Sequence, residues 1–255
     1  MKKSLLVRHL FSFIKNKKKE SISNPRTGWD EFDDFLPTPK VQRRETLDIT
    51  FDYSEIKKGK YLVFDIETTG LPKYRDASPK DIKNWPYIVQ IGWILFDEYG
   101  KMLEHKEYIL KQRKNIPQTA IEIHGITNEI AKEKGIDLVI AYSEFMKALS
   151  NSEILVCHNM EFDFPIVTCE FIRNGLDPKL LSKKKICTMK VGTKFCKIPR
   201  YSGGYKYPTL SELFKTCFYA DAASISIKEK HQALIDAGIT AKCFFKLKEL
   251  NVIKD

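Results

Sequence analysis

At 255 residues, with 43% hydrophobic and 12% aromatic content, the chain can bury one sizeable core and is too apolar for a disordered polymer. No run approaches the roughly 18 apolar residues of a membrane span. The formal net charge of +10 suggests a polyanionic partner, but seven Lys/Arg against one Glu in the first twenty residues account for +6 of it. Six dispersed cysteines (157, 169, 187, 196, 217 and 243), with no CxxC pair and no Cys/His cluster at zinc spacing, predict reduced, mostly buried thiols in a cytoplasmic protein and argue against structural zinc.

The start, "MKKSLLVRHLFSFIKNKKKE", has the basic flank of an export signal. Arg8 and His9 interrupt its apolar part, however, and lysines stand where small cleavage-site residues belong. Leu6, Leu10, Phe13 and Ile14 would share one side of a basic amphipathic helix suited to a membrane surface, nucleic acid or a partner. A frayed basic tail fits the same residues. Residues 21–58 read as an arm or linker, punctuated by Pro25, Pro37 and Pro39, in which Trp29, Phe32 and Phe35 could dock on the main body. The expected division is a basic N-terminal extension over 1–58 and one domain over 59–255.

From residue 60 the pattern becomes globular. "YLVFDIET" predicts a strand, residues 71–86 a polar loop, and "YIVQIGWILFD" and "MLEHKEYIL" two more strands with a hairpin turn at Tyr99-Gly100. "TNEIAKEKG" predicts a short helix closed by Gly135, "DLVIAYSEFMKALS" a longer helix, and "EILVCHN" a strand. "FPIVTCEFIRNG" reads as a helix with Pro165 in its first turn and Gly175 as its stop. "TLSELFKTCF" and "HQALIDAGITAKCFFKLKEL" give the last helices. This order predicts an α/β architecture around a mixed sheet. Between Pro178 and Ser211 there is no acid but nine Lys/Arg, interleaved with Phe195, Tyr201, Tyr205 and Tyr207. Basic groups tracking phosphates beside stacking aromatics suit single-stranded nucleic acid, with Gly203-Gly204 as a loop hinge. A solvated basic face is the plain alternative.

The first strand carries the sharper signal. Side chains alternate along a strand, so Asp65 and Glu67 share a face. Neighbouring carboxylates repel; one takes up a proton unless a cation lies between them, and hard divalent ions suit such oxygens. Two solvated acids at a strand end would explain this stretch equally well. "VCHNMEFDFP" then places Asp163 at the start of the helix after a strand. "HQALIDA" sets His231 five residues ahead of Asp236, which is not one helical face, so the histidine should precede the helix and Asp236 project from its first turns.

Taken together, "FDIET", "HNMEFD" and "HQALID" resemble the three exonuclease motifs of the DEDDh family, which includes the proofreading exonuclease subunit of bacterial DNA polymerase III and ribonuclease T. "IHGIT" and "PTLSELF" resemble its connecting segments, and the likeness runs from about residue 61 to 250. It implies a ribonuclease H-like fold with a mixed central β-sheet flanked by helices. It also implies Asp65, Glu67, Asp163 and Asp236 as ligands of two divalent cations (Mg²⁺, with Mn²⁺ substituting) and His231 as general base. By the same resemblance Thr68, Thr69 and His124 would meet the terminal nucleotide, and Phe162 could flank it. The implied reaction is 3′→5′ hydrolysis of single-stranded nucleic acid, DNA favoured, to nucleoside 5′-monophosphates. RNA 3′-end trimming and a non-catalytic binding module on the same fold are the competing expectations. A DNA polymerase or another replication or repair protein is an implied partner. The polymerase-binding tail of related proofreading subunits has no evident counterpart after the last helix, which weakens the expectation of a dedicated polymerase subunit.

Overall fold

A computed structural model describes residues 58–218 and 231–254; the expected basic helix, arm and docking segment lie outside the described residues. Strand β1 (Tyr61–Thr68) is buried along most of its length, because its aliphatic and aromatic side chains have a helical layer to meet on each face. It pairs antiparallel with β2 (Ile88–Phe96), which pairs antiparallel with β3 (Met102–Ile109). On its other side β1 runs parallel to β4 (Ile154–Cys157), which runs parallel to β5 (Lys184–Cys187). The order is therefore β3-β2-β1-β4-β5, a mixed sheet in an α/β fold as expected.

Helices α1 (Gln118–His124), α2 (Asn128–Lys134) and α3 (Leu138–Ser150) follow β3. Thr127 caps α2 by accepting from the Ile130 N–H, and Asp137 caps α3 through Val139. Gly135 ends α2 as predicted but for a different reason. Its φ is −66°, so it takes no left-handed turn; a Cβ there would lie 2.2 Å from the Ala131 carbonyl oxygen. Helix α4 (Met160–Arg173) follows β4, and α5 (Thr188–Cys196), α6 (Leu210–Phe218) and α7 (Ala233–Glu249) complete the described elements.

Alternation along β1 sorts the layers. Leu62, Phe64 and Ile66 join Trp93, Phe145 of α3 and Ile166 of α4 in the main core. Tyr61, Val63, Asp65 and Glu67 face the other way, where the Tyr61 ring meets Phe244 of α7 at 4.9 Å. Burying each such large apolar side chain contributes about 1.5–3 kcal/mol. Ala233, Ala237 and Ala241 recur at one-turn spacing on α7, and all three are fully buried. Their small size lets the helix lie close to the sheet.

The closest approach is at Gly92 in β2. A Cβ there would stand 2.4 Å from the Leu234 amide nitrogen and 2.7 Å from the Ala233 carbonyl carbon. Backbone cannot yield as a side chain can, so β2 needs glycine where α7 begins.

One expectation is corrected. Helix α4 starts at Met160, so Pro165 stands in the second turn rather than the first. It removes the N–H that would reach the Glu161 carbonyl, at a turn where Glu161 is exposed and water can substitute. The basic stretch contains a short 3₁₀ turn (Pro178–Leu181), β5 and α5, elements its sequence did not announce. Four residues with two lysines give β5 no strand periodicity, and pairing with β4 supplies the register. The Gly203-Gly204 pair holds a tight reversal, with φ of 87° and 74° and a bridge from Pro199 to Tyr205.

Gly92→Ala should lower stability by about 1–3 kcal/mol, as overpacking does. Urea unfolding of the two proteins would measure it, and an unchanged midpoint would mean that α7 is not seated as described.

Candidate metal and nucleic-acid site

Three segments distant in sequence converge at the C-terminal end of β1. Asp65 pairs in register with Gly92, and Glu67 with Gln90, so both acids lie on the face against which the start of α7 packs. The register then shifts between Glu67 and Thr68, a bulge where the strand leaves the sheet.

Asp163 arrives through a sharp entry into α4. Asn159, the residue before the helix, sits in the left-handed region with φ 76° and ψ 51°, a conformation asparagine tolerates better than most residues. Asp163 is only 2% exposed, and the polar influence of the Ile66 N–H of β1 and of the Cys157 thiol works to lower its pKa. Asp236 occupies the first turn of α7, and His231 precedes that helix, as its spacing predicted. His231 Nδ1 lies 3.3 Å from Asp236 Oδ2. The His231 N–H also donates to the Ile123 carbonyl, which brings the end of α1 to the same place.

The electrostatics are those of crowded acids. Burial, then Asp163, Asp236 and Glu67, push the Asp65 carboxyl well above the usual range. Burial also holds Asp163 high, despite its polar neighbours, and pushes Glu67 up to about 8, with Asp236 the next cause. His231 rises because its hydrogen bond to Asp236 outweighs desolvation. Glu67 Oε1 is buried without a hydrogen-bond partner among the described residues. Glu67, His231 and Asp236 can place one ligand atom each within 4.8 Å of one another. An orphaned carboxylate oxygen among further acids fits hard divalent cations, whose charge would offset the repulsion.

The residues expected at the nucleotide are placed more variously. Thr68 donates its hydroxyl to the Gly70 carbonyl, at 2.8 Å. The Thr69 hydroxyl accepts from the Tyr87 N–H, and its own N–H donates to the Tyr87 carbonyl. Both side chains thus help hold the bulged turn. His124 ends α1, is 4% exposed, and accepts through Nδ1 from the Ile126 N–H. Phe162, partly buried, packs against the main core beside Asp163.

Other residues at the site carried weaker sequence signals. Gln90 Oε1 accepts from the Ala233 N–H at 3.1 Å, and Glu107 Oε1 from the Leu234 N–H at 3.0 Å. Their strand alternation was visible; a helix above them was not. His158, inside "HNMEFD", bridges Thr188 Oγ1 and the Pro208 carbonyl, and burial lowers its pKa. That links the end of β4 to the first residue of α5 and to the segment before α6.

Residues 62–244 match the exonuclease family RNase_T. Among curated proteins, a PolC-type DNA polymerase III of Clostridium perfringens is 29% identical over 200 residues, and one of Thermotoga petrophila is 27% identical over 200. Those matches cover 76% and 77% of this chain but only 12% of each relative. Among solved structures, E. coli exonuclease I in complex with a dT13 oligonucleotide has a TM-score of 0.58 at 20% identity, covering 74% of this chain and 40% of that one. The zinc-bound form of the E. coli exonuclease I–ssDNA complex has a TM-score of 0.58 at 18% identity, covering 76% and 41%. At such identity the likeness shows the fold. Among the described residues no helix is long and apolar enough to cross a membrane.

Acids with raised native pKa values bind more protons folded than unfolded, so they make stability fall as pH rises. For Glu67 that window runs from the ordinary 4.5 to about 8. In EDTA the thermal midpoint should therefore drop between about pH 5 and pH 8. Added Mg²⁺ or Mn²⁺ should raise it more at the upper pH, where the acids are free to ionise. A midpoint insensitive to cations at both values, read by calorimetry, would exclude a cation site here.

Proposed function

The chain belongs to the RNase_T exonuclease family, a family of divalent-cation-dependent nucleases, and on that premise we propose that it is a 3′→5′ exonuclease releasing nucleoside 5′-monophosphates from single-stranded nucleic acid, DNA favoured. The observation that carries this reading is the convergence of Asp65, Glu67, Asp163 and Asp236 beside His231, with a buried Glu67 oxygen left for a ligand. These four acids would hold two divalent cations, Mg²⁺ by preference and Mn²⁺ as a substitute. When bound, the cations supply charge stabilisation at phosphorus and a more acidic water.

The chain's own groups account for orientation and proton transfer. With Nδ1–H donating to Asp236, the His231 ring carries its lone pair on Nε2, which is the atom proposed to take the proton of the attacking water. The His231 side chain is 63% exposed, so solvent can carry that proton away. Asp163, buried at the start of α4, is proposed to present its carboxyl to the cations while its neighbour Phe162 is proposed to flank the terminal nucleotide. The hydroxyls of Thr68 and Thr69 are engaged within the turn, so their proposed contact to the nucleotide runs through the backbone. His124 is proposed to face the sugar or base from the end of α1.

Upstream, the basic surface supports grip on a strand. Lys184 and Lys185 are exposed on the edge strand, and Tyr201, Tyr205 and Tyr207 are all exposed on the following loop. Not every cation is available: Lys190 pairs with Glu161, and Lys206 with Glu212. A DNA polymerase is the proposed partner, since the curated relatives are polymerases of which this chain matches a small part.

The purified protein should release mononucleotides from a single strand with Mg²⁺ and none with EDTA. A 5′-labelled strand should shorten progressively from its 3′ end; immediate loss of the label as a mononucleotide would reverse the polarity. Matched DNA and RNA strands would set the substrate.

His231→Ala should lower kcat by about 10²–10⁴-fold, the usual contribution of a general base. It should also flatten the acid limb of the pH profile. That limb should sit above the ordinary histidine value, because a raised pKa keeps His231 protonated to higher pH. Full activity in this variant would remove the assignment.

A further inference from the structure

We propose that Gln90 and Glu107 are positioning residues that cap the N-terminus of α7 from two strands and so hold Asp236 and His231 against the Asp65–Glu67 pair. This rests on the exonuclease reading of the site only for its effect on turnover.

A helix start leaves its first N–H groups without intrahelical acceptors, and the preceding residue's own side chain commonly supplies one. Gln232, the cap residue of α7, makes no such bond. The acceptors come instead from 143 and 127 residues earlier in the chain: Gln90 Oε1 for the Ala233 N–H, at 3.1 Å, and Glu107 Oε1 for the Leu234 N–H, at 3.0 Å. These are the first two residues of the helix.

The sheet register explains how two strands can share the task. Asp65, Gly92 and Glu107 form one row across β1, β2 and β3, and Glu67 and Gln90 stand in the next row on β1 and β2. Gly92 leaves the space into which the Ala233–Leu234 backbone fits. The helix start therefore sits over Gly92, with Gln90 and Glu107 as its acceptors and the two acids of β1 alongside. Asp236 follows two residues after Leu234, and its N–H closes the first helical bond to the Gln232 carbonyl, at 2.9 Å. Fixing the amides of Ala233 and Leu234 thus fixes the direction in which Asp236 leaves the helix.

General stabilisation of α7 is supplied elsewhere. Phe244 and Leu247 are fully buried toward its other end, and Phe244 lies against Tyr61 at the opposite end of β1. The two polar contacts act at the end that carries the acids.

The test uses the full chain with Glu107→Ala, Glu107→Gln and Gln90→Ala. It reads kcat and KM, Mn²⁺ affinity by calorimetry, and amide hydrogen exchange at Ala233 and Leu234. Each alanine variant should exchange faster at its own amide. Each should also lose about 10–100-fold in kcat or Mn²⁺ affinity, the range for groups that orient ligands, with KM little changed. Glu107→Gln keeps the accepting oxygen and should stay near the wild type. Wild-type kcat and Mn²⁺ affinity in both alanine variants would overturn the proposal, as would a Glu107→Gln variant as impaired as Glu107→Ala. Glu107 is exposed, so if Gln90→Ala does not fold, the Glu107 pair decides alone. If the wild type releases no nucleotide, the exonuclease reading fails, and Mn²⁺ affinity with amide exchange decides the positioning role.

Discussion

Mutual repulsion among buried carboxylates is the constraint around which the rest of the molecule is arranged. Asp65, Glu67 and Asp163 are all held above their ordinary ionisation range, each first by burial and then by one another or by Asp236. A soluble core would ordinarily exclude such a set, because an unpaired buried charge is costly. Its persistence makes sense where a divalent cation completes it. The acids then stabilise the bound state, and the empty cluster is the strained one.

Placing these acids takes most of the topology. Because β4 runs parallel to β1 and pairs with it only as far as Val63–Val156, it ends beside the middle of β1, and the turn at Asn159 sends α4 off with Asp163 in its first turn. Antiparallel β2 and β3 bring Gly92, Gln90 and Glu107 alongside, where they receive the start of α7. The central glycine and the alanines of α7 are thus part of the site's construction even though they bear no chemistry. Small residues set the distance at which the acids meet.

The basic region is sparser in free charge than its composition suggests. An acid-free run from Pro178 to Ser211 looks wholly available for phosphates, yet Glu161 and Glu212 enter from α4 and α6 to pair with two of its lysines. Charge counted along a chain takes no account of neighbours supplied by folding. The exposed tyrosines of the following loop remain consistent with stacking.

Much of the fold and the outline of the site were legible from residues alone. Apolar strands, an alternation that puts Asp65 and Glu67 on one face, and the spacing of His231 ahead of Asp236 are local properties, and local geometry preserved them. The short β5 and α5 were not legible, because four residues with two lysines become a strand only when β4 supplies a partner. Nor could the sequence disclose that the threonine hydroxyls would be spent on the bulged turn, or that Gln90 and Glu107 would cap a helix more than a hundred residues away. The sequence by itself determined which chemical groups are present and on which element each is carried. Their mutual distances, and hence their ionisation, were decided only by tertiary structure, since electrostatic energy depends on separation and burial in space and not on separation along the chain.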